Sequence, residues 1–164
     1  MRTINKIILH CSASMAGVNL SANDIKAYHC NPVKMGGRGW RNPGYHYVIR
    51  LDGTREVLLP EEFIANGVKG HNADSVHVCY VGGLMQREKG KGNSEKSGQP
   101  QVVAANTMTP AQHCAITELL HELHNRYPAA TFHGHNEFAA KACPGFRVSE
   151  VFPEFTTPTA VTHE

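Results

Sequence analysis

The sequence predicts an α/β fold: a single domain with a mixed central sheet of about five strands, flanked by helices. Three observations carry that expectation. Branched and aromatic apolar runs alternate along the chain with segments of helical periodicity, an order that lays helices over a sheet. The length of 164 residues suits one buried core. An apolar content of 41% against 18% charged residues is that of an ordinary globular chain, with no signature of disorder.

Each element has its own signal. Residues 4–11, INKIILHC, read as a buried strand. Ser21 followed by Asp24 caps a short helix to about Cys30, with Ile25 and Tyr28 expected to turn inward. Residues 31–44 are crowded with Gly and Pro and form a surface loop, whose Trp40 either packs on the core or lines an open rim. Residues 45–59 predict a hairpin, YHYVIR and TREVLL around Asp52-Gly53, a pair that favours a tight turn with positive φ. SVHVCYVGG at 75–83 predicts a central strand, and 85–107, polar and Gly-rich, a mobile loop. Thr109-Pro110-Ala111-Gln112 is a helix start: N-cap Thr, Pro at the first helical position, Gln three after the cap. Ile116, Leu119, Leu120 and Leu123 continue it as one apolar stripe to about Tyr127. The domain is expected over 1–155, with a disordered Thr- and Pro-rich tail at 156–164.

Composition excludes several functions. A net charge of +2 is too small for a nucleic-acid binder, and the cluster Arg87, Lys89, Lys91, Lys96 is diluted by Glu88 and Glu95. No apolar run approaches the roughly 18 residues of a membrane segment, and the start of the chain lacks the build of a signal peptide. Synthesis in the cytoplasm is expected, with any action outside depending on release or export by another factor. A monomer is expected. Five cysteines, odd in number and irregularly spaced, argue for reduced thiols and against a disulfide framework. Eleven histidines are many for this length.

The densest chemical segment is HGHNEFAAKACPG, residues 133–145. Cys143 sits in a Pro-Gly turn, which suits a fixed thiolate. His135 lies eight residues ahead of it and His133 ten, so spacing alone leaves both histidines as partners. Two donors do not hold a zinc ion. The third candidate is His10, at the C-terminal end of the first strand, where the sheets of α/β folds open toward ligands. Alone, His10 reads equally as a satisfied strand-end histidine, and Cys143 as a small buried hydrophobe.

Five motifs in order make the resemblance specific: IILHCSAS at 7–14, GYHYVIRLDGT at 44–54, SVHVCYVGG at 75–83, TPAQ at 109–112 and the closing H-x-H-N-E-x-x-x-K-x-C-P-G. Over residues 4–149 the chain resembles the zinc-dependent N-acetylmuramoyl-L-alanine amidases, which include short phage lysozyme-amidases and peptidoglycan recognition proteins. The resemblance implies His10, His135 and Cys143 as ligands of one Zn2+ per chain, and Tyr45 and Lys141 as catalytic groups. It implies peptidoglycan, both glycan and stem peptide, as substrate, and a cut between N-acetylmuramic acid and L-alanine. His133 has no counterpart and is expected to be structural or to support a ligand from behind.

The chemistry agrees with those roles. Three protein ligands leave a fourth tetrahedral position for water, the mark of a catalytic site. Zinc lowers that water's pKa from about 15.7 toward roughly 7. Lys141 would stabilise the tetrahedral oxyanion. Tyr45, with an ordinary pKa near 10, suits an orienting role better than a basic one. Glu137 either handles a proton or fixes a histidine or turn.

The chain departs from the family's pattern at Gly67, where a histidine is common, and at His71, where an aromatic residue is common. Those changes are expected to alter contacts to glycan or stem peptide. The competing reading is a non-catalytic peptidoglycan-recognition module, whose members commonly lack the ligand cysteine.

Overall fold

The computed structural model describes residues 2–87 and 101–156. Strand β1 (Lys6–Cys11) has five of its six residues buried, as the branched run Ile7-Ile8-Leu9 requires. It lies inside a five-stranded sheet of order β4-β3-β5-β1-β8. Here β3 is Tyr47–Ile49, β4 Arg55–Val57, β5 Ser75–Tyr80 and β8 Thr131–Gly134. β1 pairs in parallel with β5 and β8, β3 pairs in parallel with β5, and only edge strand β4 runs antiparallel. The sheet is mixed, five-stranded and covered by helices, as the sequence predicts.

Helix α1 (Ala22–Cys30) starts at a capping box in which Ser21 and Asp24 bond reciprocally. Helix α2 (Pro110–Arg126) starts at a second box, Thr109 with Gln112. Ile116, Leu119, Leu120 and Leu123 of α2 pack on Ile7, Leu9, Val76 and Val78 of the sheet in the main core. Each such side chain contributes about 1.5–3 kcal/mol relative to exposure. Buried Gln112 ties the helix to the sheet through bonds to Ile49 O and Val81 O, 3.1 and 2.9 Å. Ala22 and Ile25 of α1 meet Val48, Leu58 and Val81 in a second cluster. The short helices α3 (Val148–Val151) and α4 (Pro153–Thr156) follow β8 and pack on it.

Three expectations are corrected and one strand is added. Tyr28 is 53% exposed, because Ala22, Ile25 and His29 form the inward face of α1. The hairpin turn is wider than two residues: Arg50 N–H bonds to Thr54 O, Gly53 N–H bonds to Arg50 O, and φ is positive at Gly53. The stretch 85–107 is not wholly loop. Its ends belong to β6 (Gly83–Arg87) and β7 (Gln101–Ala104), which pair antiparallel and join β2 (Ser14–Met15) in a small second sheet. Strand β8, Thr131–Gly134, reaches two residues into the motif-rich segment, and its pairing with β1, not its pattern, makes it a strand. The remainder of the expected loop, 88–100, and the expected tail from 157 onward lie outside the described residues.

Candidate metal centre and active site

Parallel pairing brings His10 and His135 together. Leu9 is in register with Gly134, so the next residue of each strand's path, His10 or His135, emerges at the same C-terminal edge. Their ring centroids are 4.9 Å apart. Cys143 arrives from the loop after β8. That loop is spanned by Asn136 Nδ2 donating to Phe146 O at 3.0 Å, and held to the sheet by Tyr80 O–H donating to Pro144 O at 2.7 Å. The turn closes with Gly145 N–H on Ala142 O. Gly145 has φ of 93°, and a Cβ there would lie 2.5 Å from Ala105 O, so both conformation and space demand glycine.

His10, His135 and Cys143 each offer one donor atom, and these atoms lie within 4.8 Å of one another. His10 Nδ1 is 3.8 Å from Cys143 Sγ. Zinc bonds of roughly 2.05 Å to nitrogen and 2.3 Å to sulfur at a tetrahedral angle put those donors about 3.6 Å apart. The donors also suit the ion chemically. Burial, then the neighbouring His77 and His135, holds His10 well below the usual histidine range; burial and the charge of Lys141 lower His135. Both rings are therefore neutral at pH 7, as ligation requires. Without a cation, the neighbouring Cys11 thiol and burial push Cys143 up. A cation among the three donors would draw the thiolate onto Cys143, whose sulfur also accepts Cys11 N–H at 3.3 Å.

Above this cluster opens a cavity of about 550 Å³, lined by Tyr45, Lys141, His135 and Cys143 among others. Tyr45 lies 5.0 Å, ring to ring, from His10, and its hydroxyl donates to Cys11 O at 3.5 Å. Burial, with the thiols of Cys79, Cys143 and Cys11 nearby, raises its pKa well above the ordinary value. The protonated phenol is a hydrogen-bond donor at the cavity. Lys141 is exposed on the cavity wall.

Sequence reasoning left some roles open. Trp40 takes both of its alternatives: half-buried, it stacks on His29 at 4.9 Å and lines the cavity. Arg38 lies 5.2 Å from the ring centres of both Trp40 and Tyr28. His133 lies outside the cluster and bonds Thr131 Oγ1 and Glu137 Oε2, 2.7 and 3.0 Å. Glu137 also accepts Gly134 N–H at 2.8 Å, capping the 3-10 turn His135–Glu137. Gly67 lines the cavity; His71 does not, and instead packs its ring on Phe138 at 4.6 Å. Three groups escaped sequence reasoning altogether: His29 and Arg38 at the rim, and His77 beneath His10. The histidine inside the apolar run SVHVCYV was the available signal for the last.

A family model described as N-acetylmuramoyl-L-alanine amidase matches residues 1–146. The endolysin of Enterobacteria phage K11 is 36% identical over 142 residues, 87% of this chain and 81% of the relative. The endolysin of Klebsiella phage KP32 is 37% identical over 142 residues, with the same shares of 87% and 81%. Among solved structures, the Ph2119 endolysin from Thermus scotoductus MAT2119 bacteriophage Ph2119 superposes with a TM-score of 0.68 at 25% identity, covering 96% of this chain and 88% of its own. On the family match and these identities, the chain belongs to the N-acetylmuramoyl-L-alanine amidases.

Proposed function

We propose that this peptidoglycan amidase is zinc-dependent, that His10, His135 and Cys143 hold one ion per chain, and that it cuts between N-acetylmuramic acid and L-alanine. The observation that supports the reading best is one juxtaposition. Three metal-type donors within 4.8 Å lie under a cavity of about 550 Å³ that Tyr45 and Lys141 also line. Bound there, zinc supplies Lewis acidity, lowering the pKa of water at its open position and polarising an amide carbonyl.

The chain's own residues do the rest. Neutral His10 and His135 present lone pairs and spend no proton on ligation. Tyr45 donates a hydrogen bond that orients the attacking water or the carbonyl. Lys141 faces the oxygen that becomes negative as the amide carbon turns tetrahedral; removing such a group costs about 10²–10³ in rate. The nitrogen of L-alanine leaves with the proton that water gives up. Trp40 and Tyr28 offer flat faces at the cavity rim for glycan or stem peptide. This work takes place at the cell wall, after release from the cytoplasm by another factor.

All five predicted site residues sit at one cavity or directly beneath it, which favours hydrolysis over a recognition module that only binds. Mass spectrometry of digested sacculi tests the reading. The expected products are glycan strands with free muramic acid carboxyls and intact peptides beginning with L-alanine. Cuts within the peptide or the glycan would overturn it.

A further inference from the structure

Beneath the cavity, outside the five residues above, His77 occupies the middle of β5, fully buried between β1 and β3. Its Nδ1 lies 2.9 Å from His10 Nε2, a nitrogen-to-nitrogen contact in which one ring must donate and the other accept. His10 Nδ1 faces Cys143, so the neutral His10 ring that ligates through Nδ1 carries its proton on Nε2. His77 Nδ1 is then the acceptor, and the His77 proton stands on Nε2.

Two further observations show that this placement is built. His77 is held by His46: its backbone N–H donates to His46 Nδ1 at 2.9 Å, and the two rings stack 3° from parallel. And the room it occupies is room that residue 67 vacates. A Cβ on Gly67 would lie 2.5 Å from His77 Nδ1 and 2.7 Å from Gly44 O. Glycine at 67 therefore does more than shape the cavity; it lets a histidine from the sheet reach the back of His10. The arrangement leaves a buried polar atom unmatched, since His77 Nε2 has no partner among the described residues. A leucine or valine at 77 would avoid that cost, so the histidine serves something other than packing.

We infer that His77 is a positioning residue: it accepts the His10 Nε2–H, fixing the tautomer and ring orientation with which His10 Nδ1 meets the metal. The inference rests on the zinc reading above. Partners of this kind behind a ligand histidine are worth about 10–100-fold in metal affinity or activity.

The test uses the whole chain and zinc itself. Competition with a chromophoric chelator should show His77→Phe, which fills the space but cannot accept, binding zinc about 10–100-fold more weakly than wild type. His77→Asn, whose Oδ1 falls near the place of Nδ1, should recover most of that loss. Equal affinity of wild type and a folded His77→Phe would overturn the inference while leaving the zinc site intact. A wild-type chain that binds no zinc would remove both. Should His77→Phe not fold, long-range ¹H–¹⁵N spectra of the zinc-loaded wild type decide. They should show His10 protonated at Nε2 and His77 protonated at Nε2 only; a proton on His77 Nδ1 contradicts the assignment.

Discussion

The two faces of the central sheet differ in kind, although the same strands make both. Along β1, Ile7 and Leu9 point into the core under α2, while His10, one residue on, points to the opposite side. Along β5, Val76 and Val78 join that core, and His77 between them does not. The α2 face carries the fold by area and volume. The other face tolerates buried imidazoles because each is tied: His10 to His77, His46 Nδ1 to the backbone of His77, His29 Nδ1 to Gly44 N–H at 3.2 Å. A period of two lets one strand serve stability and chemistry at once, and a register slip of one residue would destroy both together.

That division can be broken from either side. The largest effect belongs to the packing face. Leu120→Ala, fully buried under the sheet, should cost about 2–5 kcal/mol in denaturant unfolding, yet leave zinc content and turnover of the folded fraction unchanged. Loss of zinc in step with stability would show that the faces are not separable.

Lys141→Ala addresses the chemical face alone. It should lower turnover on sacculi by about 10²–10³ with zinc content and melting temperature unaltered. Near-wild-type lysis would take Lys141 out of the mechanism.

The smallest effect is on pH. Burial lowers the pKa of His29 and of His46 to about 4. Unfolded histidines titrate near 6.5, so between about 6.5 and 4 the unfolded chain binds more protons than the folded one. Metal-free protein should thus lose melting temperature as pH falls through that window, and change little from pH 7 to 8. A flat profile from 6.5 to 4 would mean that the folded chain protonates these rings as readily as the unfolded one, giving up their Nδ1 bonds at no cost.

Much of this was legible in the sequence, where local chemistry decides the outcome. Ser21 with Asp24 and Thr109 with Gln112 marked both helix starts, because a capping box closes within four residues. The candidate metal cluster was legible only as a set of ordered motifs, since His10 and Cys143 are 133 residues apart and neither signals a role alone. What stayed hidden depends on pairing across the chain. β8 is a strand because β1 lies beside it, and Gln101–Ala104 is one because Gly83–Arg87 is. Spacing could not choose between His133 and His135; the pairing of β8 with β1 does, setting His133 beside Ile8, where it bonds Thr131 and Glu137, and carrying His135 past the strand end to His10. The relation between Gly67 and His77, ten positions apart, is a matter of volume that no local pattern carries.

Metal analysis of purified wild type and of Cys143→Ser tests the central claim most directly. The account predicts about one zinc per wild-type chain and little in the variant, with the α2 face keeping the variant folded. A wild-type enzyme that hydrolyses peptidoglycan after its metal has been stripped, or a variant that retains full zinc, would contradict it.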